Sequence, residues 1–111
     1  MEQITWSEFE RVELRVGTIL EVSDFPKAKK PAYQLKIDFG DFGIKNSSAQ
    51  ITAHYKKEDL IGKQVMAVIN FPVKQIANFF SECLTTGVAD EEGRIVLLSP
   101  DFRVPNGSKL I

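Results

Sequence analysis

The stretch Ile44 to Phe71 reads IKNSSAQI-TAH-YKKEDLI-GK-QVMAVINF, and its reading decides the fold. Ile44 to Ile51 predicts a strand with a polar outer face. Residues 55–61 predict a short helix closed by Gly62, because glycine takes the left-handed conformation that a helix end needs. Gln64 to Phe71 predicts a further strand, apolar on both faces and so inside a sheet. Pro72 ends it, having no N–H to donate. Upstream, Tyr33, Leu35, Ile37 and Phe39 alternate with Gln34, Lys36 and Asp38, the period of a half-buried strand. Gly40 to Gly43 predicts the hairpin turn that joins it to Ile44. Before that, Val12, Leu14, Val16, Leu20 and Val22 share one face, opposite Glu13, Arg15, Glu21 and Ser23. This predicts one long strand, with Gly17 marking a bend or bulge. Thr5-Trp6-Ser7-Glu8 fits a capping box that opens a short helix over 7–11. Downstream, Ser81 to Val88 predicts a fifth strand, Asp90 to Gly93 a turn, and Arg94 to Leu98 a sixth strand. Pro100, Pro105 and Asn106-Gly107 mark an irregular tail that packs as an extended edge.

Short strands with one helix between the third and the fourth predict an all-β protein. The five-stranded oligonucleotide/oligosaccharide-binding (OB) barrel places its helix there. The pattern alone leaves a barrel of another topology open. The chain has 111 residues, 43% of them hydrophobic and 26% charged, which predicts one folded domain over 1–111. The longest apolar run, Val65 to Ile69, is far too short to insert in a membrane. Met1 to Trp6 has neither the basic flank nor the apolar stretch of a signal peptide, so a cytoplasmic location is expected. Cys83, the single cysteine, excludes an internal disulfide.

Fourteen Lys and Arg stand against 15 Asp and Glu, a net charge of -1, which taken whole argues against a strongly basic nucleic-acid binder. The distribution is uneven. Residues 25–78 hold nine lysines and four acids, a net of +5, while residues 1–24 carry -4 and residues 79–111 carry -2. The central segment reads either as a solvated lysine-rich surface or as a positive face for a polyanion.

Glu13-Leu14-Arg15-Val16-Gly17-Thr18-Ile19 resembles the opening strand of the tRNA-binding domain family. That family includes the domain appended to methionyl- and phenylalanyl-tRNA synthetases and free-standing tRNA-binding proteins. Leu35 to Gly40, Asp59 to Val65, Val68 to Phe71 and Ser81-Glu82 resemble its later motifs in order. Within the family, Phe25-Pro26, Ile44 to Ile51, Asn70-Phe71-Pro72 and Val104-Pro105-Asn106-Gly107 are similar to the CsaA group of secretion-associated chaperones. The likeness spans about residues 6–110. It implies an OB-fold barrel with N- and C-terminal extensions, a homodimer, tRNA as partner, and the holding of unfolded or pre-secretory polypeptides. Protein-export components are further partners on this resemblance. A tRNA-binding accessory or structural partner of an aminoacyl-tRNA synthetase, without a chaperone role, is the alternative.

Such barrels bind RNA with cations for phosphates and with polar or planar groups for bases. Lys45, Asn46, Ser47, Ser48 and Gln50 offer these on one strand, although they also fit an ordinary edge strand with a polar outer face. Lys74, Gln75 and Asn78, with Ser81 and Glu82, offer a second set on the link from Pro72 to Phe80, read as a binding loop. Phe71, Pro72, Ile76, Phe79 and Phe80 make the same region a candidate grip for apolar peptide side chains, although Phe79 and Phe80 fit equally a pair in which one caps the barrel end and the other meets a dimer mate. Members of the family tend to carry a basic residue at Gln75, a glycine at Asn78 and a basic residue at Phe80. The departures here weaken RNA binding by this loop and favour apolar ligands. Lys27, Lys29 and Lys30 add positive field, or only keep a loop soluble. Trp6, Phe9, Val104, Pro105, Leu110 and Ile111 are apolar residues of the two tails, which either a two-fold interface covers or each tail buries against its own barrel; the family resemblance favours the interface. Catalysis is not expected, and neither is a cofactor or metal. His54 is the only histidine, Cys83 falls in a strand where it reads as a small hydrophobe, and there is no metal-ligand spacing and no Gly-rich phosphate loop.

Overall fold

The alternation at Val12–Val22 becomes the strand around which the rest of the molecule is wrapped. The computed structural model describes residues 1–111. Its elements are α1 (Trp6–Glu10), β1 (Leu14–Asp24), β2 (Tyr33–Asp38), β3 (Ile44–Ala49), α2 (Lys57–Leu60), β4 (Gln64–Val68), β5 (Lys74–Ile76), β6 (Phe79–Ser81), β7 (Leu84–Thr85), β8 (Gly87–Ala89) and β9 (Ile95–Leu97). One antiparallel sheet runs in the order β3-β2-β1-β4-β7. Ser47 brings its two ends together: the hydroxyl donates to the Cys83 carbonyl at 3.2 Å and shares a hydrogen bond with the Thr85 hydroxyl at 2.8 Å. The result is a nearly closed five-stranded OB-like barrel. Helix α2 lies between β3 and β4 and puts Leu60 fully inside. No helix is long and apolar enough to cross a membrane.

β1 pairs with β2 through Thr18–Asp24 and with β4 through Leu14–Thr18, so one strand serves two sides of the barrel. Its register on β2 slips between Ile19 and Glu21, where Leu20 is the extra residue of a β-bulge. The bulge splits the single face expected for Val12 to Val22. Ile19 enters the core and Leu20 is left exposed, while Val22 returns to pack against the core. Gly17 faces inward on the same strand. A Cβ there would come within 2.5 Å of Ile37 and 2.7 Å of Phe39. Gly17 therefore makes room for a core phenylalanine, and the bulge lies three residues further on.

The tail does pack as an edge. The Val16 N–H donates to the Ser108 carbonyl at 2.9 Å, and the Gly107 N–H donates to the Val16 carbonyl at 2.7 Å. These bonds occupy the edge of β1 that β2 has left. At the other end the capping box is present in full: the Thr5 hydroxyl accepts from the Glu8 N–H at 3.1 Å, and Glu8 Oε1 accepts from the Thr5 N–H at 3.0 Å.

Two expectations change. The link from Pro72 to Phe80 is a hairpin, β5 paired with β6, and not a loop. The fifth strand is broken: Leu84–Thr85 stays in the barrel, while Gly87–Ala89 leaves to pair with β9. Gly87 sits where a Cβ would meet Ile95 at 2.6 Å, so the close approach of β8 to β9 requires glycine there.

Candidate functional site

β3 alternates. Ser47 and Ala49 are buried, and Ser48 and Gln50 project the other way. Against this outer face leans the β5–β6 hairpin. It is fixed by Phe79, whose ring meets that of buried Phe25 with centroids 5.4 Å apart. The Ser48 N–H also donates to Ser81 Oγ at 3.2 Å. Next to it, the Asn46 N–H donates to Glu82 Oε1 at 2.9 Å and the Glu82 N–H donates to the Asn46 carbonyl at 2.8 Å. The hairpin turn is tight, with Ala77 held at φ 53° and the Gln75 amide donating to the Ala77 carbonyl at 3.1 Å.

Between the hairpin, β3 and the β1–β2 loop runs a cleft with two ends. One end, about 710 Å³, is walled by Phe71, Pro72, Ile76, Leu84 and Ile95, with Cys83 beneath. The other, about 580 Å³, is walled by Lys27, Lys29, Lys30 and the run Lys74 to Ala77. Ser48, Gln50, Lys74 and Ile76 border both, so the two ends are continuous. No carboxylate lines either end. Lys27, Lys29, Lys30 and Lys74 are exposed and take part in no ion pair, unlike Lys36, Lys57 and Lys109, which are held by Glu21, Asp24 and Glu13. Four free cations in a cleft without acids make a positive field. Burial pushes the Cys83 thiol up to about 11, so it stays protonated and acts as a small apolar residue.

Of the RNA candidates, the structure gathers Ser48, Gln50, Lys74, Gln75 and Ser81 on this cleft. Lys45, Asn46, Asn78 and Glu82 lie off its walls, and the Glu82 carboxylate is tied to the Asn46 backbone. Ser47 is fully buried, with its hydroxyl used to close the barrel. Of the apolar candidates, Phe71, Pro72 and Ile76 line the cleft, Phe80 is exposed beside it, and Phe79 is turned onto Phe25. Lys27, Lys29 and Lys30 gain weight. They are near Lys74 only because Phe25 and Ala32, both buried, pin the two ends of their loop to the barrel. The available signal was three lysines within four residues next to a phenylalanine. In the tails, Trp6 and Ile111 are exposed, the Trp6 ring meets that of Phe9 at a tilt with centroids 5.3 Å apart, and Val104 is half-buried under the Gln64 amide.

Comparison with known proteins agrees with the fold. Residues 14–109 match the model of the tRNA binding domain family. The chain belongs to the tRNA-binding domain family. This tRNA-binding domain is 38% identical over 110 residues to methionine–tRNA ligase of Methanocaldococcus jannaschii, a match that covers 99% of the chain and 17% of the ligase. For the ligase of Thermococcus kodakarensis the figures are 34%, 99% and 14%. The chain thus spans only a small part of these curated relatives. Among solved structures, the CsaA chaperone of Bacillus anthracis superposes with a TM-score of 0.93 at 46% identity, covering 99% of this chain and 100% of that one. The CsaA chaperone of Picrophilus torridus gives 0.90 at 55% identity, covering 98% and 100%.

Proposed function

We propose that this protein is a cytosolic homodimer that binds tRNA along the lysine-lined end of the cleft. The observation that carries this is the convergence of Lys27, Lys29, Lys30 and Lys74, all unpaired, on polar Ser48 and Gln50 with no acid among the lining residues. Phosphates answer such a surface, and displaced counterions supply much of the affinity. The exposed apolar residues at both tails, Trp6, Leu110 and Ile111 among them, support a two-fold interface there.

The test is a titration of tRNA against salt. With four phosphate contacts, log affinity is expected to fall with log salt at a slope of about -3 between about 50 and 200 mM. Lys74→Ala, and Lys29→Ala with Lys30→Ala, should each weaken binding and flatten the slope, while sedimentation gives twice the chain mass. An affinity for tRNA no higher than for heparin, or variants that bind like the parent, would remove this reading.

A second activity, the holding of unfolded polypeptide, is favoured by the other end of the cleft. Phe71, Pro72 and Leu84 stay exposed around a cavity large enough for several apolar side chains, and the CsaA chaperones are similar over the full length.

A further inference from the structure

Asn106-Gly107 is the pin that fastens the carboxyl-terminal tail to β1. The Ser108 N–H donates to the Pro105 carbonyl at 3.2 Å, so residues 105–108 form a β-turn with Gly107 at φ 91°. Two separate requirements bring this pair together. Position 107 needs glycine, for that φ and because a Cβ would come within 2.8 Å of the Phe39 carbonyl oxygen. Position 106 needs a short side chain with an acceptor. Its Oδ1 accepts from the Thr18 hydroxyl at 2.7 Å and from the Gln64 amide at 3.1 Å. The backbone N–H and C=O of Val104 fix which way the Gln64 amide points, so it is the oxygen of Asn106 that faces it. The chain has four asparagines, and only Asn106 precedes a glycine; Asn46, Asn70 and Asn78 precede Ser47, Phe71 and Phe79.

An asparagine followed by glycine is chemically labile, because no side chain keeps the next backbone nitrogen from the asparagine Cγ. In the docked tail that nitrogen is engaged: the Gly107 N–H donates to the Val16 carbonyl at 2.7 Å. The carboxamide is held away from it by its two donors, Thr18 and Gln64. Further ties keep the tail in place. The Leu110 N–H donates to the Leu14 carbonyl at 2.9 Å, Arg15 Nη1 donates to the Gly107 carbonyl at 3.0 Å, and Lys109 Nζ lies 2.8 Å from the Glu13 carboxylate.

We propose that Asn106-Gly107 is a self-modification site, kept unreacted while the tail is docked on β1 and converted when the tail leaves it. In the released tail the Gly107 nitrogen gives its proton to hydroxide and bonds to Asn106 Cγ. The Cγ–Nδ2 bond breaks, and Nδ2 takes up a proton and leaves as ammonia. Water then opens the five-membered succinimide at one of its two carbonyls. Cleavage of the new Cγ–N bond gives aspartate, and cleavage of the original peptide bond gives isoaspartate. The sum is one water consumed and one ammonia released. The two products differ in consequence. Aspartate keeps the chain length and still offers an oxygen to Thr18 and Gln64, so the tail docks again. Isoaspartate runs the chain through the side chain and adds one backbone atom. The Gly107 N–H and the Ser108 carbonyl then no longer meet Val16 together. Val104, Pro105, Leu110 and Ile111 flank the site, so isoaspartate also weakens a two-fold interface there; this last consequence alone rests on the two-fold reading.

The experiment keeps the full chain at mildly alkaline pH in buffer and, in parallel, in urea above its unfolding midpoint. Peptide mapping by mass spectrometry reads the one-dalton gain at residues 106–107, and enzymatic methylation reads isoaspartate. Conversion is expected to be about 100-fold slower in buffer than in urea, a tail-opening free energy of about 2.7 kcal/mol. Lys109→Ala, which removes the tie to Glu13, should speed conversion in buffer about threefold, the size of a partly exposed ion pair, and leave the rate in urea unchanged. Thr18→Val should act in the same direction. The isoaspartate form, separated by ion exchange, should show faster hydrogen exchange at residues 105–110 than the parent, and the aspartate form should match the parent. Equal rates in buffer and in urea overturn the proposal, because docking then guards nothing. No gain at 106–107 in urea, or earlier conversion at Asn46, Asn70 or Asn78, overturns it as well. So does an isoaspartate form whose tail exchanges like the parent's. Sedimentation separates the two levels. An isoaspartate form of lower mass than a parent at twice the chain mass supports both, and a parent at the single-chain mass removes the two-fold reading without touching the modification site.

Discussion

Gly17 shows how much one missing side chain contributes. Its neighbours Ile37 and Phe39 are fully buried members of the core, and a methyl group on residue 17 would overlap both. Gly17→Ala is expected to cost about 1–3 kcal/mol, the usual range for overpacking a filled core. The check is a urea titration in which the midpoint falls and the slope is unchanged. The sequence marks Gly17 as special, because a glycine inside an alternating strand needs a reason. It does not tell which reason. A bend and a close approach look the same in one dimension, and only the position of Phe39, 22 residues away, separates them. Cys83 is the opposite case. Its place inside an expected strand already read as a small hydrophobe, and its burial beneath the cleft holds the thiol protonated.

At the scale of elements, the β5–β6 hairpin was hidden from sequence reading. Lys74-Gln75-Ile76 and Phe79-Phe80-Ser81 are too short for a period to show. The turn is unusual as well. Ala77 takes a positive φ where glycine or asparagine would be expected, and Asn78 next to it does not. What holds the hairpin is distant: Phe25, in the loop after β1, supports Phe79. Phe25→Ala should therefore loosen β5 and β6 before it unfolds the barrel. Hydrogen exchange followed by mass spectrometry is expected to show faster exchange for residues 74–81 than for β1, β2 and β4. The global cost should be about 3 kcal/mol, typical of a buried phenylalanine truncated to alanine. Uniform acceleration across all strands would mean that Phe25 supports the barrel as a whole. By contrast, α2 and the capped helix α1 were legible, because Gly62 and the Thr5–Glu8 pair act within a few residues.

At the scale of the whole molecule, long-range polar ties hold the barrel and its extensions in one unit. His54 Nε2 lies 2.7 Å from Asp90 Oδ2, joining the segment before α2 to the β8–β9 turn. The Asp90 carboxylate also accepts from the backbone N–H of Glu92 and of Arg94, each at 2.9 Å. The His54 contact first, and the Arg94 N–H next, hold the Asp90 carboxyl below its ordinary value of 3.8. A group lowered in the folded state stabilises it above the ordinary value. That contribution disappears as the pH falls through the folded one. Glu13 is lowered in the same sense by Lys109 and Arg15, at the junction of β1 with the tail. Both act in the acid range. Asp90→Asn is expected to be less stable than the parent near neutrality and to converge on it by about pH 2, measured as urea midpoints across pH. A gap that stays constant down to that pH would show that the charge of Asp90 contributes nothing.

The sequence by itself determined the strand periods, the helix between the third and fourth strands, the capped amino-terminal helix and the positive central segment. Each of these depends on neighbours within a few residues, where backbone geometry and side-chain spacing act directly. The ordered motifs also placed the chain in its family, and the match over residues 14–109 bears this out. Tertiary structure alone decided which lysines and apolar residues share a cleft. It set Lys27, Lys29 and Lys30 beside Lys74, withdrew Ser47 into the barrel and turned Phe79 onto Phe25. Those outcomes depend on barrel closure and on a single bulge at Leu20, which set the direction of side chains far apart along the chain.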